Sequence, residues 1–465
     1  MATKKASKAI ATPSEEGHTS DTKKGQAASR LKHDTNPESN HNQPSESPGQ
    51  SFSDHEVPVQ PGVNIGLFGH VDHGKTTLVK TFTGKWTDTH SEEIKRGITI
   101  RLGYADATFY QCNSCTGVER FGVHPTCAVC KGEAKPIRRL SFIDAPGHES
   151  LMATMLAGAT IIDGALLLVS AGETCPQPQT REHLMALEIL GVNRVVVVQN
   201  KVDLVSEEAA TKNYNQIKEF LNGTMFEHAP IIPLSGQHGV NIDALIQAIN
   251  ETIPTPKRDG TKEPLLSVAR SFDVNKPGSS PLNIMGGIIG GTLKQGTLSL
   301  GQEIEILPGY LVEEKNRKVA KPLHTTIVSL MTGGTSVESI HPGGSVAVAT
   351  TLDPSIVKSD KLTGAVVGLT GKLPPVWYTL TLEPHLLKRV VGTKEDLNVD
   401  PIKMGEVLML NVNSAATAGI VNELSKKEIS CPLKIPVCAE EGSRVTISRR
   451  IGNRFRLIGY GILKA

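Results

Sequence analysis

The sequence has no run of 18 or more consecutive apolar residues, so no hydrophobic membrane-spanning helix is expected. Its first residues lack the apolar stretch that a secretory signal requires, and none is expected. Cysteine is scarce, seven in 465 residues, and too unevenly spread for a disulfide scaffold. Neither sign of charge dominates. Lys and Arg number 49 against 47 Asp and Glu, so net charge neither demands nor excludes a nucleic-acid partner. No internal repeat of fixed period is visible.

Hydrophobic residues at 38% and charged residues at 21% describe a soluble globular chain, whose length supports about three domains. Residues 1–59 are rich in Ser, Lys, Glu, Asn, Gln and Pro, with 7 basic and 8 acidic side chains. Such a segment cannot bury enough surface to offset its ordering entropy and is expected to be a solvated tail. From 60 to 258, apolar strands alternate with helical stretches. Val63–Phe68, Leu140–Ile143, Gly164–Val169, Arg194–Val198 and Ile231–Leu234 read as buried strands. Leu151–Ala159, Arg181–Leu190 and Ile242–Ile253 read as helices. This alternation predicts an α/β domain with a mostly parallel sheet covered by helices. Ile253–Gly260 is a Pro- and Gly-containing linker. Beyond it, short β-rich runs broken by Gly, Pro and Asn predict two β-barrel domains, 259–375 and 376–465, divided near Gly371–Pro375.

Gly69-His-Val-Asp-His-Gly-Lys-Thr76 follows a predicted strand and opens a predicted helix, the context of a phosphate-binding loop. Gly69 and Gly74 let backbone N–H groups curl around phosphates at a helix N-terminus. His73 and Thr77 lie in or beside the loop. Lys75 supplies a point charge to the β- and γ-phosphates, and the Thr76 hydroxyl is a ligand for Mg²⁺. Asp144-Ala-Pro-Gly-His148 ends the next strong strand. Asp144 is placed to hold Mg²⁺ through a water, and the Gly147 N–H to sense the γ-phosphate. Thr99, in Arg96-Gly-Ile-Thr-Ile100, is a second hydroxyl candidate for the metal. In Asn200-Lys201-Val-Asp203, the carboxylate of Asp203 can accept from guanine N1–H and the N2 amino group. Adenine offers no such donors and would leave that carboxylate unpaired, so the discrimination is large. Asn200 can tie neighbouring loops together. Ser235-Gly236-Gln237 ends the following strand, where backbone N–H groups can meet guanine O6, although a plain surface turn is also open for these three residues.

Cys112-x-x-Cys115 and Cys127-x-x-Cys130 supply four thiols at close range, a pattern for tetrahedral Zn²⁺. The surrounding segment, 110–137, is too polar and Gly-rich to hold shape by packing, so metal binding would supply its folding energy. Four cysteines leave no open position for chemistry, so the site is structural; a degenerate knuckle with free thiols is the alternative. Cys175, Cys431 and Cys438 lack such partners and read as small hydrophobes.

Taken in order, these motifs resemble translational GTPases related to elongation factor Tu, over residues from about 61 to 465. Ala269–Gly278, Glu173–Thr180 and Arg449–Gly459 narrow the likeness to the γ-subunit family of translation initiation factor 2, closer to its archaeal members. The knuckle, inserted between the two switch loops, fits this family. The resemblance implies a cytoplasmic GTPase that forms the core of a heterotrimer with α and β subunits. It implies that the GTP form carries initiator methionyl-tRNA to the small ribosomal subunit with its mRNA, and that hydrolysis releases it. His148 matches the residue that orients the attacking water, flanked by Val71 and Ile98 as an apolar gate. Asp72 matches a loop position that holds a second Mg²⁺ with the Gly97 carbonyl. A carboxylate beside a triphosphate is repelled unless a cation lies between them, which fits that metal. A solvent-facing Asp72 is the alternative.

The last barrel holds 13 basic against 9 acidic residues, and Arg444, Arg449, Arg450, Arg454 and Arg456 cluster after Glu441. They are candidates for contact with tRNA phosphates, or for a solvated barrel face. Arg270, Asp273 and Lys276 mark the start of the first barrel, with their role left open. His70 and the tail histidines have no placed role. No arginine finger is evident, so intrinsic hydrolysis is expected to be slow without an external activator. Rival readings are a selenocysteine-specific elongation factor, a GTPase subunit of sulfate activation, and a nucleotide-locked RNA-binding scaffold.

Overall fold

The computed structural model describes residues 59–464, apart from 88–98, 100, 149–150, 277, 279, 281–283, 315–316, 389, 391–397 and 453. The first strand, β1 (Val63–Gly69), is buried at all seven residues. It leads through the glycine-rich loop into α1 (Lys75–Thr83). Then come β2 (Gly103–Cys112), the two-residue β3 (Phe121–Gly122) and β4 (Ala134–Asp144). After them the chain alternates α2 (Met152–Ala159), β5 (Gly164–Ser170), α3 (Pro178–Leu190), β6 (Val195–Asn200), α4 (Glu207–Leu221), β7 (Ile231–Pro233) and α5 (Ile242–Thr252).

The strands form one sheet in the order β3-β2-β4-β1-β5-β6-β7. Pairing is parallel from β4 to β7, and antiparallel where β2 meets β4 and β3. Successive residues alternate between two cores, as strand geometry requires. Leu166, Leu168, Val196 and Val198 enter the core under α1 and α5; Leu167, Val169, Val195 and Val197 enter the one under α2 and α3. Phe82 of α1 stacks on Phe142 of β4, with centroids 4.9 Å apart and planes 9° apart. That stack fixes the helix whose N-terminus follows the glycine-rich loop.

Two of the longer elements of this domain were not legible in the sequence. β2 alternates buried and half-buried residues and carries no continuous apolar run, because one of its faces is only partly covered. α4 buries only Asn213, Ile217 and Leu221, so its apolar stripe is thin; its start is marked by Ser206, whose side chain accepts from the Ala209 N–H.

Beyond α5 every sheet is antiparallel. The first seven-stranded sheet takes β8 (Leu265–Phe272), β9 (Ile288–Gln295), β11 (Glu303–Glu314), β12 (Arg317–Thr332), β13 (Thr335–Val337), β15 (Val346–Thr350) and β16 (Val366–Gly368), while β10 (Leu298–Ser299) pairs with β14 (Ser339–Ile340). Pairing of β11 with β12 closes six strands into a barrel. The second sheet takes β17 (Val376–Leu386), β18 (Val407–Val412), β19 (Ala415–Ile420), β20 (Glu423–Leu424), β21 (Ile429–Cys438), β22 (Arg444–Ile451) and β23 (Arg454–Lys464), and pairing of β17 with β21 closes it. Closure removes the exposed edges that such sheets would otherwise present. Each barrel has its own apolar core.

Polar contacts seat both barrels on the α/β domain. Arg258 donates to Asp163 (2.5 Å) and to the Gly62 carbonyl (2.8 Å). Arg139 reaches the Gly333 carbonyl at 2.6 Å, and Asn64 donates to Thr292 Oγ1 at 3.0 Å. On the other side Arg444 donates to the Ile189 carbonyl at 2.9 Å, and Arg456 pairs with Glu182 at 2.6 Å.

Candidate nucleotide site

In an open α/β sheet, ligands sit beyond the carboxyl ends of the strands, where the strand order reverses. β1 has β4 on one side and β5 on the other, and the glycine-rich loop leaves its carboxyl end. A cavity of about 300 Å³ opens there, lined by Val71, Asp72, Gly74, Lys75, Thr76, Thr77, Trp86, Thr99, Gly147, His148 and Lys201. The structure thus brings together residues separated by more than a hundred positions. Asp72 is exposed at the rim, while Gly97 and Ile98 lie outside the described residues.

Lys75 is buried, and its Nζ donates to the carbonyls of Gly69 (3.0 Å) and His70 (2.8 Å). A Cβ on Gly147 would stand 2.5 Å from that Nζ and 2.9 Å from the Gly69 carbonyl oxygen, a backbone atom that cannot easily move aside. Hydroxyl and carboxylate oxygens converge alongside. Thr76 Oγ1 donates to Asp144 Oδ2 at 2.6 Å and lies 3.2 Å from Thr99 Oγ1; Thr87 Oγ1 donates to the same Asp144 oxygen at 2.8 Å. An all-oxygen set of this kind suits a hard cation such as Mg²⁺. Thr87 and Trp86 carried no signal in the sequence, because they precede the switch segment without forming part of any motif.

The residues expected from the sequence to meet the base lie on the adjoining loops. Asn200 Nδ2 donates to the His73 carbonyl, and its Oδ1 accepts from the Gly236 N–H, both at 2.9 Å. One buried amide thereby ties the phosphate-side loop to the Ser235–Gln237 turn. The Thr81 hydroxyl adds a bond to the Gly236 carbonyl at 2.7 Å. A hydrogen bond from Ser235 holds the Asp203 carboxyl below the usual carboxylate range, helped by His238, whose Nε2 is 3.6 Å away. Asp203 is therefore an ionised acceptor. His73 is buried, with Nδ1 2.8 Å from the Leu168 carbonyl and Nε2 3.4 Å from Glu173.

The four knuckle cysteines meet at the far end of the β2–β4 hairpin. Their sulfurs lie within 4.8 Å of one another, with Cys112–Cys130 at 3.5 Å and Cys115–Cys127 at 3.7 Å. Metal–sulfur legs of about 2.3 Å require tetrahedral edges of roughly 3.8 Å, so the set fits Zn²⁺. Backbone N–H groups of Cys130 and Val129 draw the Cys127 thiol down to about 6.

The arginine cluster divides. Arg449 is held by Glu406 and donates to the carbonyls of Asp400 (2.8 Å) and Pro401 (3.1 Å). Arg456 is held by Glu182, and Arg444 donates to Ile189 and stacks over Tyr460. Arg444, Arg450 and Arg454 are exposed. Arg449 and Arg456 therefore face carboxylates of the chain itself.

Residues 60–255 match the family "Elongation factor Tu GTP binding domain", and residues 378–463 match "Initiation factor eIF2 gamma, C terminal". The translation initiation factor 2 subunit gamma of Pyrococcus furiosus is 58% identical over 405 residues, covering 87% of this chain and 98% of its own length. That of Methanocaldococcus jannaschii is 55% identical over 405 residues, with the same coverages. Among solved structures, translation elongation factor SelB from Methanococcus maripaludis with the GTP analogue GPPNHP superposes with a TM-score of 0.63 at 22% identity, covering 88% of this chain and 80% of that one. At that identity the likeness speaks for the fold alone. No helix among the described residues is long and apolar enough to cross a membrane. With more than half of the aligned residues identical along nearly the full length of those relatives, the chain belongs to the archaeal translation initiation factor 2 γ-subunit family, as a GTPase of translation initiation.

Proposed function

We propose that this GTPase is a nucleotide-controlled carrier of initiator methionyl-tRNA, working in the cytoplasm on the small ribosomal subunit with its mRNA as the core of a heterotrimer with α and β subunits. The guanine is read by Asp203, with Asn200 and the Ser235–Gln237 turn holding the loops, and Lys201 covers the base side of the cavity. Lys75 exchanges the Gly69 and His70 carbonyls for the β- and γ-phosphates, and the loop N–H groups of His73, Gly74 and Thr77 complete the cradle. Thr76, Thr99 and, through a water, Asp144 would hold Mg²⁺, which would neutralise charge on the β- and γ-phosphates. Gly147 meets the γ-phosphate, and His148 orients a water for in-line attack on the γ-phosphorus. A bond forms from the water oxygen, the bond to the β–γ bridging oxygen breaks, and GDP leaves with that oxygen. Cys112, Cys115, Cys127 and Cys130 would hold a structural Zn²⁺. Exposed Arg450 and Arg454 are the better placed of the basic cluster for RNA phosphates.

The observation that carries this reading is the tether between the metal-side segment and the first barrel. Two and three residues after Thr99, Arg101 lies 3.5 Å from Asp360, and the Leu102 carbonyl accepts from Arg270 at 3.2 Å. Ordering of Thr99 by nucleotide is thereby felt at the barrel. The test is a titration of labelled initiator methionyl-tRNA with GTP- and GDP-loaded protein, with and without the partner subunits. Tighter binding in the GTP form is expected; equal affinity in the two nucleotide states would sink the proposal.

A further inference from the structure

Behind the glycine-rich loop, on the side away from the cavity, stands His183 of α3. It is 2% exposed, and its ring meets Phe68 edge-on with centroids 5.9 Å apart. Its Nδ1 accepts a hydrogen bond of 2.9 Å from the N–H of Gly69, the first residue of the loop. Burial, together with the Lys75 charge and the neighbouring rings of His70 and His73, pushes this imidazole down to about 3, so it is neutral at any working pH. A neutral imidazole has one lone pair and one N–H, and the bond from Gly69 assigns the lone pair to Nδ1.

That bond fixes more than one amide. Gly69 has φ of 141°, and a Cβ there would lie 2.4 Å from the Leu168 carbonyl oxygen, so its backbone is wedged against the end of β5. With the N–H turned inward to His183, the Gly69 carbonyl is presented to Lys75 Nζ at 3.0 Å, beside that of His70 at 2.8 Å. The same brace recurs at the other end of the loop. There His73 Nδ1 meets the Leu168 carbonyl at 2.8 Å, and Asn200 holds the His73 carbonyl. The loop is thus pinned at its first and fifth residues.

We infer that His183 is a positioning residue for nucleotide binding: its Nδ1 sets the Gly69 peptide so that the loop and Lys75 are preorganised for the phosphates. The inference rests on the reading of Gly69–Thr76 as the phosphate loop. Losing the acceptor leaves a buried N–H to find a new partner, and the loop gains orientations that do not bind.

The experiment uses the full chain, with affinity for GDP measured by fluorescence titration and thermal unfolding measured without nucleotide. His183→Leu keeps bulk and loses the acceptor, and GDP affinity should fall about tenfold, the cost of an unmade buried hydrogen bond. His183→Asn places its Oδ1 where Nδ1 stood and should recover affinity to within about threefold of wild type, since the acceptor is restored. His183→Gln carries its oxygen one bond too far and should behave like the Leu variant. Unchanged GDP affinity in His183→Leu overturns the inference, and so do equal affinities in the Asn and Gln variants, a comparison that stands even if the Leu variant does not fold. Lys75→Ala separates the two layers. If it too binds GDP as wild type does, the phosphate-loop reading falls; if it alone is weakened, only the role of His183 falls.

Discussion

Arg456 and Glu182 face each other at 2.6 Å with exposures of 12% and 2%, across the seam between β23 and α3. Burial pushes the Glu182 carboxyl above the usual carboxylate range, and the Arg456 guanidinium pulls it back. Removing one partner of a buried pair strands the other, so Arg456→Ala should cost about 3–5 kcal/mol in urea unfolding. A carboxyl with a raised folded pKa contributes stability below its unfolded value and loses it as pH rises through the folded one. The Arg456→Ala defect should therefore be smaller near pH 5 than near pH 8, and a defect independent of pH would contradict the assignment. In the sequence Arg456 was indistinguishable from its basic neighbours as a candidate for tRNA contact. What the sequence withholds is register: Arg449 and Arg456 are cross-strand partners on one face. Like charges so placed repel unless each has its own carboxylate, here Glu406 and Glu182.

The hairpin of β2 and β4 joins two sites of different kinds. At one end Gly103 pairs with Asp144, beside Thr76; at the other Cys112 pairs with Ala134, in the cysteine cluster. Nine steps along the strand at about 3.4 Å each put roughly 30 Å between them. Sites so far apart are nearly independent, so Cys127→Ser should release zinc and expose residues 112–130 to protease while GDP affinity stays within about twofold. A tenfold loss of GDP affinity would show that the hairpin couples the two ends. The elements also explain what was legible. β1, β5 and β6 are buried on both faces and write that into apolar runs, broken in β1 only by Asn64, whereas β2 and α4 rest on a few alternating contacts. The cysteine pairs and the phosphate-side motifs depend on local spacing, and so could be found without the fold. His183, Trp86 and Thr87 act at the site through tertiary placement, which no local pattern records.

At the scale of the molecule, Asp360 lies at the junction of the metal-side segment and the first barrel. Its Oδ1 accepts from Arg270 Nε at 2.9 Å and from the Ser271 N–H at 3.1 Å, while Oδ2 meets Arg101 at 3.5 Å. Ser359 and Asp360 both hold left-handed backbone, at φ of 59° and 60°, a conformation that costs non-glycine residues about 1–2 kcal/mol each. The two arginines offset that cost only while Arg101 stays in place, and its place depends on the chain at Thr99. Ser414 of the second barrel donates to the Val268 carbonyl at 2.9 Å, so a shift of the first barrel is passed on to the second. Asp360→Asn tolerates the same backbone and keeps the shape, but it removes the charge that both arginines answer. Site-to-site coupling is typically about 1–3 kcal/mol, so losing this link should cut the ratio of GTP-state to GDP-state tRNA affinity at least about fivefold. GTP affinity itself should hardly change, because Asp360 does not line the nucleotide cavity. An unchanged ratio in Asp360→Asn would mean that the barrels learn the nucleotide state by another route, with α2, packed in one core with Leu102, the next element to test.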